Sequence, residues 1–353
     1  MAPFKVVITD FGNPDNELDL GEFQASGLDV ELVRLNARSI DEFVPQIHDA
    51  HALIVNLAQI TRPVIESLHR CQVISRCGIG VDTIDLEAAT EYGIPVCNVP
   101  DFCIDEVSTH TIAFILALNR HIPGHYAHVA SGKWAGPPGG APARLTGQVL
   151  GIVGLGKIGS AVARKASALG LRVSAYDPYL KPEQALPLGV ELVSLDDLLR
   201  RADYLSIHCP LTKETRHLIG SAQLALMKPS AYLINMARGP IVDQPSLYQA
   251  LVSGVIAGAA VDVLEQEPPA SDDPLLKLPN VLITPHTSSW SAESVIQVRR
   301  DVVRNVVQVL RGEPPRSVVN SQGLRGSDRG RVAAEVGKTL SPLGRVIKYT
   351  SSK

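Results

Sequence analysis

The sequence predicts an α/β protein built from two doubly wound parallel sheets. Three observations carry this expectation. From the N-terminus to about residue 100, short apolar runs alternate with stretches of helical period, a pattern that implies parallel strands joined by crossover helices. The alternation begins again at residue 149 and continues to about residue 290. At the head of this second series stands VLGIVGLGKIGSAVARKASALGLRVSAYD, residues 149–177, which reads as strand, glycine-rich turn, helix and a strand ending in an acid.

The elements follow in order. Residues 5–9, 30–33, 52–55, 71–75 and 94–98 read as strands, with helices over 39–50 and 61–70 between them. Asp105 is placed to cap a long helix from Glu106 to about His121, ended by Pro123-Gly124. SGKWAGPPGGAPAR, residues 131–144, reads as a loop. A last helix over 291–310 leads to EPPRSVVN. From Ser321 the chain carries seven Lys/Arg against two acids, and it is expected to be a flexible tail over 321–353.

Composition excludes several classes. With 353 residues the chain is long enough for two domains, and 45% apolar against 20% charged residues argues against wholesale disorder. A net charge of −3 gives no electrostatic reason to expect nucleic acid or an anionic membrane as a partner. MAPFKVVITDFG reads as a strand running into a turn and lacks the apolar run of a signal peptide. The apolar stretch 112–118 is too short to span a bilayer. Five cysteines without a C-x-x-C spacing fit buried thiols in a reducing cytoplasm, with no metal site expected.

The glycine-rich turn points to a dinucleotide. Gly154 permits the tight turn, Gly156 lets backbone approach a pyrophosphate, and Gly159 lets helix and strand pack closely. Lys157 and Ile158 open the helix, whose free N–H groups and dipole favour the anion. Asp177 ends the next strand eighteen residues after Gly159, where an acid can bind the ribose hydroxyls. Its charge would repel a 2′-phosphate, so the expected cofactor is NAD.

Three further polar residues stand where apolar strands end. Arg238 follows YLINMA, Glu267 follows AAVDV, and His286 follows VLIT. Ligands of doubly wound sheets bind beyond the carboxyl ends of the strands, so the three can share one crevice. A guanidinium can fork onto a carboxylate, a carboxylate can hold an imidazole, and that imidazole can pass a proton to an oxygen. Each alone also reads as an ordinary surface or turn residue.

GIVGLGKIG, YDPY, HCPLTKETRHLI, INMARGPIVD, VDVLEQEP and TPHTSSWSAES together resemble the D-isomer-specific 2-hydroxyacid dehydrogenases, along residues 5 to about 320. VCNVPDFCIDEVSTHT and Trp290 are similar to the subgroup of the C-terminal binding protein corepressors. The resemblance implies a discontinuous, flavodoxin-like substrate domain over 1–102 and 291–320. A Rossmann NAD-binding domain over 103–290 is inserted into it, which explains why the glycine turn comes so late. It implies that Arg238 binds the substrate carboxylate and that His286, paired with Glu267, is the acid in reduction and the base in oxidation. Asp262 would lie near the nicotinamide carboxamide, with Val107 against the ring. His208, Cys209, Pro210, Thr215 and Ala237 would line the cofactor. Gly78, Ile79 and Gly80 would offer N–H groups to the substrate carboxylate, and Trp290 would shape the pocket. One departure stands out. The family helix that usually reads Val-Ala-Glu-His here reads Val107-Ser108-Thr109-His110.

The expected reaction is therefore hydride transfer between NAD(H) and a small 2-oxo or D-2-hydroxy acid. Phosphoglycerate-type relatives place arginines after the third strand, and here Asn56, Leu57, Ala58 and Gln59 stand there, so an unphosphorylated acid is expected. The alternative is an NAD(H)-sensing scaffold that recruits proteins. The apolar helix after residue 106 and the loop behind it suggest a homodimer formed through the NAD-binding domain. His121, His125 and His128 are expected in a solvated loop rather than around a metal. Cys77 is expected to be a packed thiol.

Overall fold

A computed structural model describes residues 2–10, 17–35, 40–136 and 140–324. Its contacts divide the chain into two units, one comprising residues up to Phe102 and those from Ala292 on, the other Cys103–Ser291.

The first unit is a parallel sheet of β1 (Phe4–Ile8), β2 (Val30–Arg34), β3 (Ala52–Val55), β4 (Val73–Arg76) and β5 (Val96–Cys97). The order is β2-β1-β3-β4-β5, that of flavodoxin-like folds. Successive side chains of each strand alternate between faces, and both faces are buried. Val7, Leu53, Ile74 and Val96 pack with Val64, Ile65, Ala88 and Ala89 of short helices. Val6, Ile8, Ile54 and Val73 pack with Val298, Val302 and Val306. These last three lie on the helix Ala292–Leu310, which returns from the far end of the chain to cover this sheet.

That helix is tied to the helix Glu17–Ser26 by a buried two-pronged ion pair. Arg299 Nε and Nη2 donate to Asp19 Oδ1 and Oδ2 at 3.1 and 2.9 Å, and both side chains are only 5% exposed. Removing one partner leaves a buried charge uncompensated, which costs about 3–5 kcal/mol. Arg299→Ala is therefore expected to lower the denaturant midpoint of the first unit markedly. The double variant Asp19→Leu, Arg299→Met should recover most of that loss. Equal midpoints for Arg299→Ala and the parent would contradict this assignment.

The second unit is a seven-stranded parallel sheet of β6 (Val149–Val153), β7 (Arg172–Tyr176), β8 (Glu191–Leu192), β9 (Tyr204–Ile207), β10 (Tyr232–Asn235), β11 (Gly258–Val261) and β12 (Val281–Ile283). The order β12-β11-β10-β9-β6-β7-β8 is the Rossmann order carried one strand further, and it reverses between β6 and β9. Val153, Leu205, Ile207, Leu233, Ala259 and Val261 form the core of one face with Leu198, Leu224 and Leu247. The helices Ile104–Asn119 and Lys157–Ala168 pack on each other and on the sheet. The predicted fold class, two parallel α/β sheets, is the observed one.

Local boundaries differ from expectation in three places. The long helix begins at Ile104 with Cys103 as its N-cap, so Asp105 lies in its first turn and does not cap it. Pro123-Gly124 opens a second helix, Ile122–Ala130, after His121 turns the chain at φ 52°. Proline in the first helical turn costs nothing, because its missing N–H has no partner there. His125 and His128 are therefore helical, not in a loop. Residues 321–324 also depart from the expected flexible tail: Gly323 N donates to Asn320 O and Leu324 is buried in the first unit's core. The rest of that tail, 325–353, lies outside the described residues. No helix among the described residues is long and apolar enough to cross a membrane.

Candidate active site

The second unit gathers its polar residues at the carboxyl ends of parallel strands, as the pairing β12-β11-β10-β9-β6-β7 requires. At the end of β6, a Cβ on Gly154 would lie 2.7 Å from Cys209 N, and one on Gly159 would lie 2.2 Å from Gly154 O. Only glycine fits either position. Gly156, the N-cap of the helix Lys157–Ala168, has open space around it. A close turn, an unobstructed backbone and a twelve-residue helix starting there fit a pyrophosphate. Lys157 is exposed and Ile158 half-buried in that helix's first turn.

Asp177 follows β7 directly. Its carboxylate accepts from Leu155 N and from Tyr179 N, each at 3.0 Å, so it is oriented by the glycine turn itself. After β9, burial pushes the His208 imidazole down to about 3, which keeps it neutral, and its Nε2 lies 2.8 Å from Ser206 Oγ. Burial pushes the Cys209 thiol up to about 12, so it is not a thiolate. Thr215 Oγ1 donates to Pro210 O at 2.7 Å and closes the turn that follows.

After β10, Asn235 shapes the turn with both ends of its amide. Its Oδ1 accepts from Ala237 N at 3.1 Å, and its Nδ2 donates to Arg238 O at 2.9 Å. Arg238 Nη1 donates to Ala237 O at 2.8 Å, which fixes the guanidinium beside its own backbone. After β12, His286 adopts φ 53°, a left-handed conformation uncommon for histidine. Its Nδ1 lies 2.6 Å from Glu267 Oε2, and Glu267 Oε1 accepts from Leu264 N at 2.9 Å. A carboxylate only accepts, so Nδ1 carries the proton and Nε2 is left to face a reactant. Burial alone would raise the Glu267 carboxyl. The hydrogen bond and charge of His286, the Leu264 N–H and the Arg238 guanidinium together hold it below the ordinary glutamate value.

Asp262 is buried and fully engaged. Its Oδ1 accepts from Thr284 Oγ1 at 2.6 Å and Thr287 N at 2.9 Å, and its Oδ2 accepts from Ser288 N at 2.9 Å. His286 N donates to Asp262 O at 2.8 Å. Asp262 thus holds the segment 284–288 in which His286 stands, a task that sequence reasoning did not assign to it. Val107 is buried on the helix Ile104–Asn119, whereas Trp290 is exposed. Thr109, at the place of the family glutamate, accepts from Lys165 Nζ at 2.6 Å, and the same ammonium meets Asp105 Oδ1 at 2.7 Å. The substitution therefore joins two helices and lies on an exposed side.

The first unit carries the loop 76–80. Gly78 has φ 150°, and a Cβ there would lie 1.6 Å from Arg76 Nη1. Gly78 O accepts from Val99 N at 2.9 Å, and Ile79 O accepts from Asn98 Nδ2 at 2.7 Å. In a planar trans peptide the next N–H points opposite its carbonyl. The Ile79 and Gly80 amides therefore face away from residues 98–99. Arg76, absent from the predicted site, is buried beneath this loop with Nη1 donating to Cys77 O at 2.6 Å. Burial pushes the Cys77 thiol up, in keeping with a packed and unreactive group. The loop after β3 is also occupied: the Asp10 carboxylate accepts from Asn56, Leu57 and Ala58 N at 2.9, 2.5 and 2.8 Å. No group of three or more potential metal ligands occurs among the described residues.

Known proteins resemble this chain. A family profile described as D-isomer specific 2-hydroxyacid dehydrogenase, NAD binding domain, matches residues 112–288. A D-3-phosphoglycerate dehydrogenase of Methanocaldococcus jannaschii is 43% identical over 286 residues, covering 80% of this chain and 54% of that protein. A glyoxylate reductase of Korarchaeum cryptofilum is 40% identical over 286 residues, covering 80% of this chain and 86% of that protein. The structure of a D-lactate dehydrogenase from Aquifex aeolicus, complexed with NAD and lactic acid, superposes with a TM-score of 0.78 at 28% identity, covering 91% of this chain and 98% of the other. The chain spans about half the length of the phosphoglycerate dehydrogenase relative.

Proposed function

The chain belongs to the D-isomer-specific 2-hydroxyacid dehydrogenase family, and we propose that it is an NAD-dependent oxidoreductase interconverting a small unphosphorylated 2-oxo acid and its D-2-hydroxy acid. The observation that carries this reading is the 2.6 Å His286–Glu267 pair, with Glu267 on the strand-end turn next to the one that bears Arg238 and His286 on the turn beyond it.

When bound, NAD(H) supplies or takes the hydride at the substrate's C2. Gly154, Gly156, Lys157, Ile158 and Gly159 would hold its pyrophosphate and Asp177 its ribose hydroxyls. His208, Cys209, Pro210, Thr215 and Ala237 would line the remainder, with Val107 and Asp262 toward the nicotinamide. In reduction the His286 imidazolium gives its Nε2 proton to the carbonyl oxygen at C2, and Glu267 stabilises the charge before transfer and fixes the ring. In oxidation the neutral ring takes that proton back from the hydroxyl. Arg238 forks onto the substrate carboxylate. Trp290 borders the side group.

One of the relatives is named for a phosphorylated acid and others for unphosphorylated ones, and the loop after β3 argues against a phosphate here. That loop presents no cation, its three amides are held by Asp10, and Asp10 adds a negative charge. A phosphate there would lose water without gaining a partner. With NADH, the purified chain is expected to reduce at least one of glyoxylate, pyruvate, hydroxypyruvate and longer 2-oxo acids, and to do so far better than with NADPH. Efficient turnover of 3-phosphohydroxypyruvate would overturn the substrate class, and equal use of NADPH would overturn the role of Asp177. Tight NADH binding without turnover of any acid would favour the corepressor-like scaffold, a reading that otherwise rests on VCNVPDFCIDEVSTHT and Trp290. Assembly as a homodimer belongs to the same proposal. Ile122, Tyr126 and Val129 stand exposed on the helix Ile122–Ala130, with Trp134 just beyond it. Light scattering should find two copies at micromolar concentration. Five free cysteines fit a reducing, cytoplasmic setting.

A further inference from the structure

Outside the acid–base pair, one polar cluster joins the turns that carry it. His217 lies between β9 and β10 with φ 53°. Its Nε2 is 2.8 Å from Glu265 Oε1, and its Nδ1 is 3.5 Å from Asp243 Oδ2. Glu265 Oε1 also accepts from Gln244 N at 3.3 Å, and Gln244 Oε1 accepts from Glu265 N at 3.1 Å. Gln244 Nε2 continues to Asp273 Oδ2 at 2.8 Å. The backbone takes part as well, with His217 N donating to Pro240 O at 2.8 Å. One side chain thus holds both the turn after β10 and the turn after β11.

Those turns bear Arg238 and Glu267, and their backbones touch. A Cβ on Gly239 would lie 1.9 Å from Leu264 C and 2.4 Å from Glu265 N. Arg238 precedes this contact by one residue, and Glu267 follows Glu265 by two. Close backbone contact sets how near the turns stand, but it does not stop one sliding along the other. The hydrogen bonds of His217, Glu265 and Gln244 resist that sliding, because each runs from one turn to another. Hydrogen bonds to charged groups are the strong ones.

We propose that His217, with Glu265 and Gln244, is a positioning residue that holds Arg238 in register with the Glu267–His286 pair. It touches no reactant and acts through the two turns. The proposal rests on the dehydrogenase reading for its kinetic consequence and on the geometry alone for its structural one.

The test uses the full chain and two variants, His217→Ala and His217→Gln. Both place a non-glycine residue at φ 53°, so they share the same backbone penalty and differ in whether an N–H reaches Glu265. A misplacement of about 1 Å costs up to about a hundredfold in rate, and a partial loosening is expected to lower kcat by roughly tenfold in His217→Ala. NADH affinity should change by less than about twofold, and His217→Gln should recover most of the rate. Histidine-ring NMR reads the same geometry without turnover. The His286 ring signals, identified by their loss in His286→Gln, should move in His217→Ala and return to the parent positions in His217→Gln. Kinetics and His286 ring shifts both unchanged in His217→Ala, even with lowered stability, would overturn the proposal. A parent chain that turns over no acid would sink the dehydrogenase reading, and the NMR comparison would still decide whether the clamp operates.

Discussion

His286→Gln is expected to lower kcat for 2-oxo acid reduction by roughly 10²–10⁴-fold, the usual contribution of a positioned general acid. NADH affinity should stay nearly unchanged, because in the proposed mechanism the ring acts on the substrate oxygen and not on the dinucleotide. Glutamine keeps the size and a hydrogen-bonding end but has no transferable proton. The companion change, Glu267→Gln, separates proton affinity from geometry. Glu267 is held below the ordinary glutamate value, so it is ionised throughout the working range and favours the imidazolium. Without that charge the imidazolium gives up its proton more readily, and the pH profile of reduction should move to lower pH. Stopped-flow single turnovers with NADH would read both effects. Wild-type rates in His286→Gln would sink the mechanism, whichever acid the enzyme uses.

The fold, and the placement of the candidate site residues at strand ends, were legible in the sequence for a common physical reason. Parallel strands buried on both faces must be apolar runs, so β6, β10 and β11 announce themselves. The residues that follow such runs must then stand at the sheet's carboxyl edge. Gly154, Asp177, Arg238, Glu267 and His286 were found this way. What escaped were residues whose role is set by a hydrogen bond across the chain. Asp10 is separated from the amides it holds by 46 to 48 positions, and no local pattern marks it. Arg76 reads as the last residue of a strand until the fold brings Gly78 over its guanidinium. Asp262 was read by resemblance as a cofactor contact, yet both its oxygens hold the segment that presents His286. Pro123 misleads because proline stops a helix from the inside and starts one from its first turn, and the sequence alone shows the residue without its position. The packing of Leu324 was likewise invisible, since a lone leucine in a polar stretch carries no period.

Arg238→Ala should lower kcat/KM by roughly 10²–10³-fold, matching the about 3–4 kcal/mol typical of truncating one partner of a desolvated charge pair. The loss should appear in both KM for the acid and kcat, because a carboxylate clamp acts in the ground state and in the transition state. The backbone at this position is no obstacle to the experiment. Arg238 sits at φ −146°, ψ 140°, extended values that alanine adopts without strain. The neighbouring Gly239 is different, since any side chain there would meet Leu264 and Glu265, so a variant at 239 would confuse clamp loss with a broken turn. Arg238→Lys offers the finer comparison. It keeps the charge and loses the planar fork, so it should recover part of the affinity for the acid and less of the rate. Arg238 also helps to hold Glu267 ionised, which makes a second signature available. In Arg238→Ala the acid limb of the residual activity should begin at higher pH, as Glu267 protonates sooner without the nearby cation. A variant whose only defect is weaker NADH binding would move Arg238 out of the substrate site altogether.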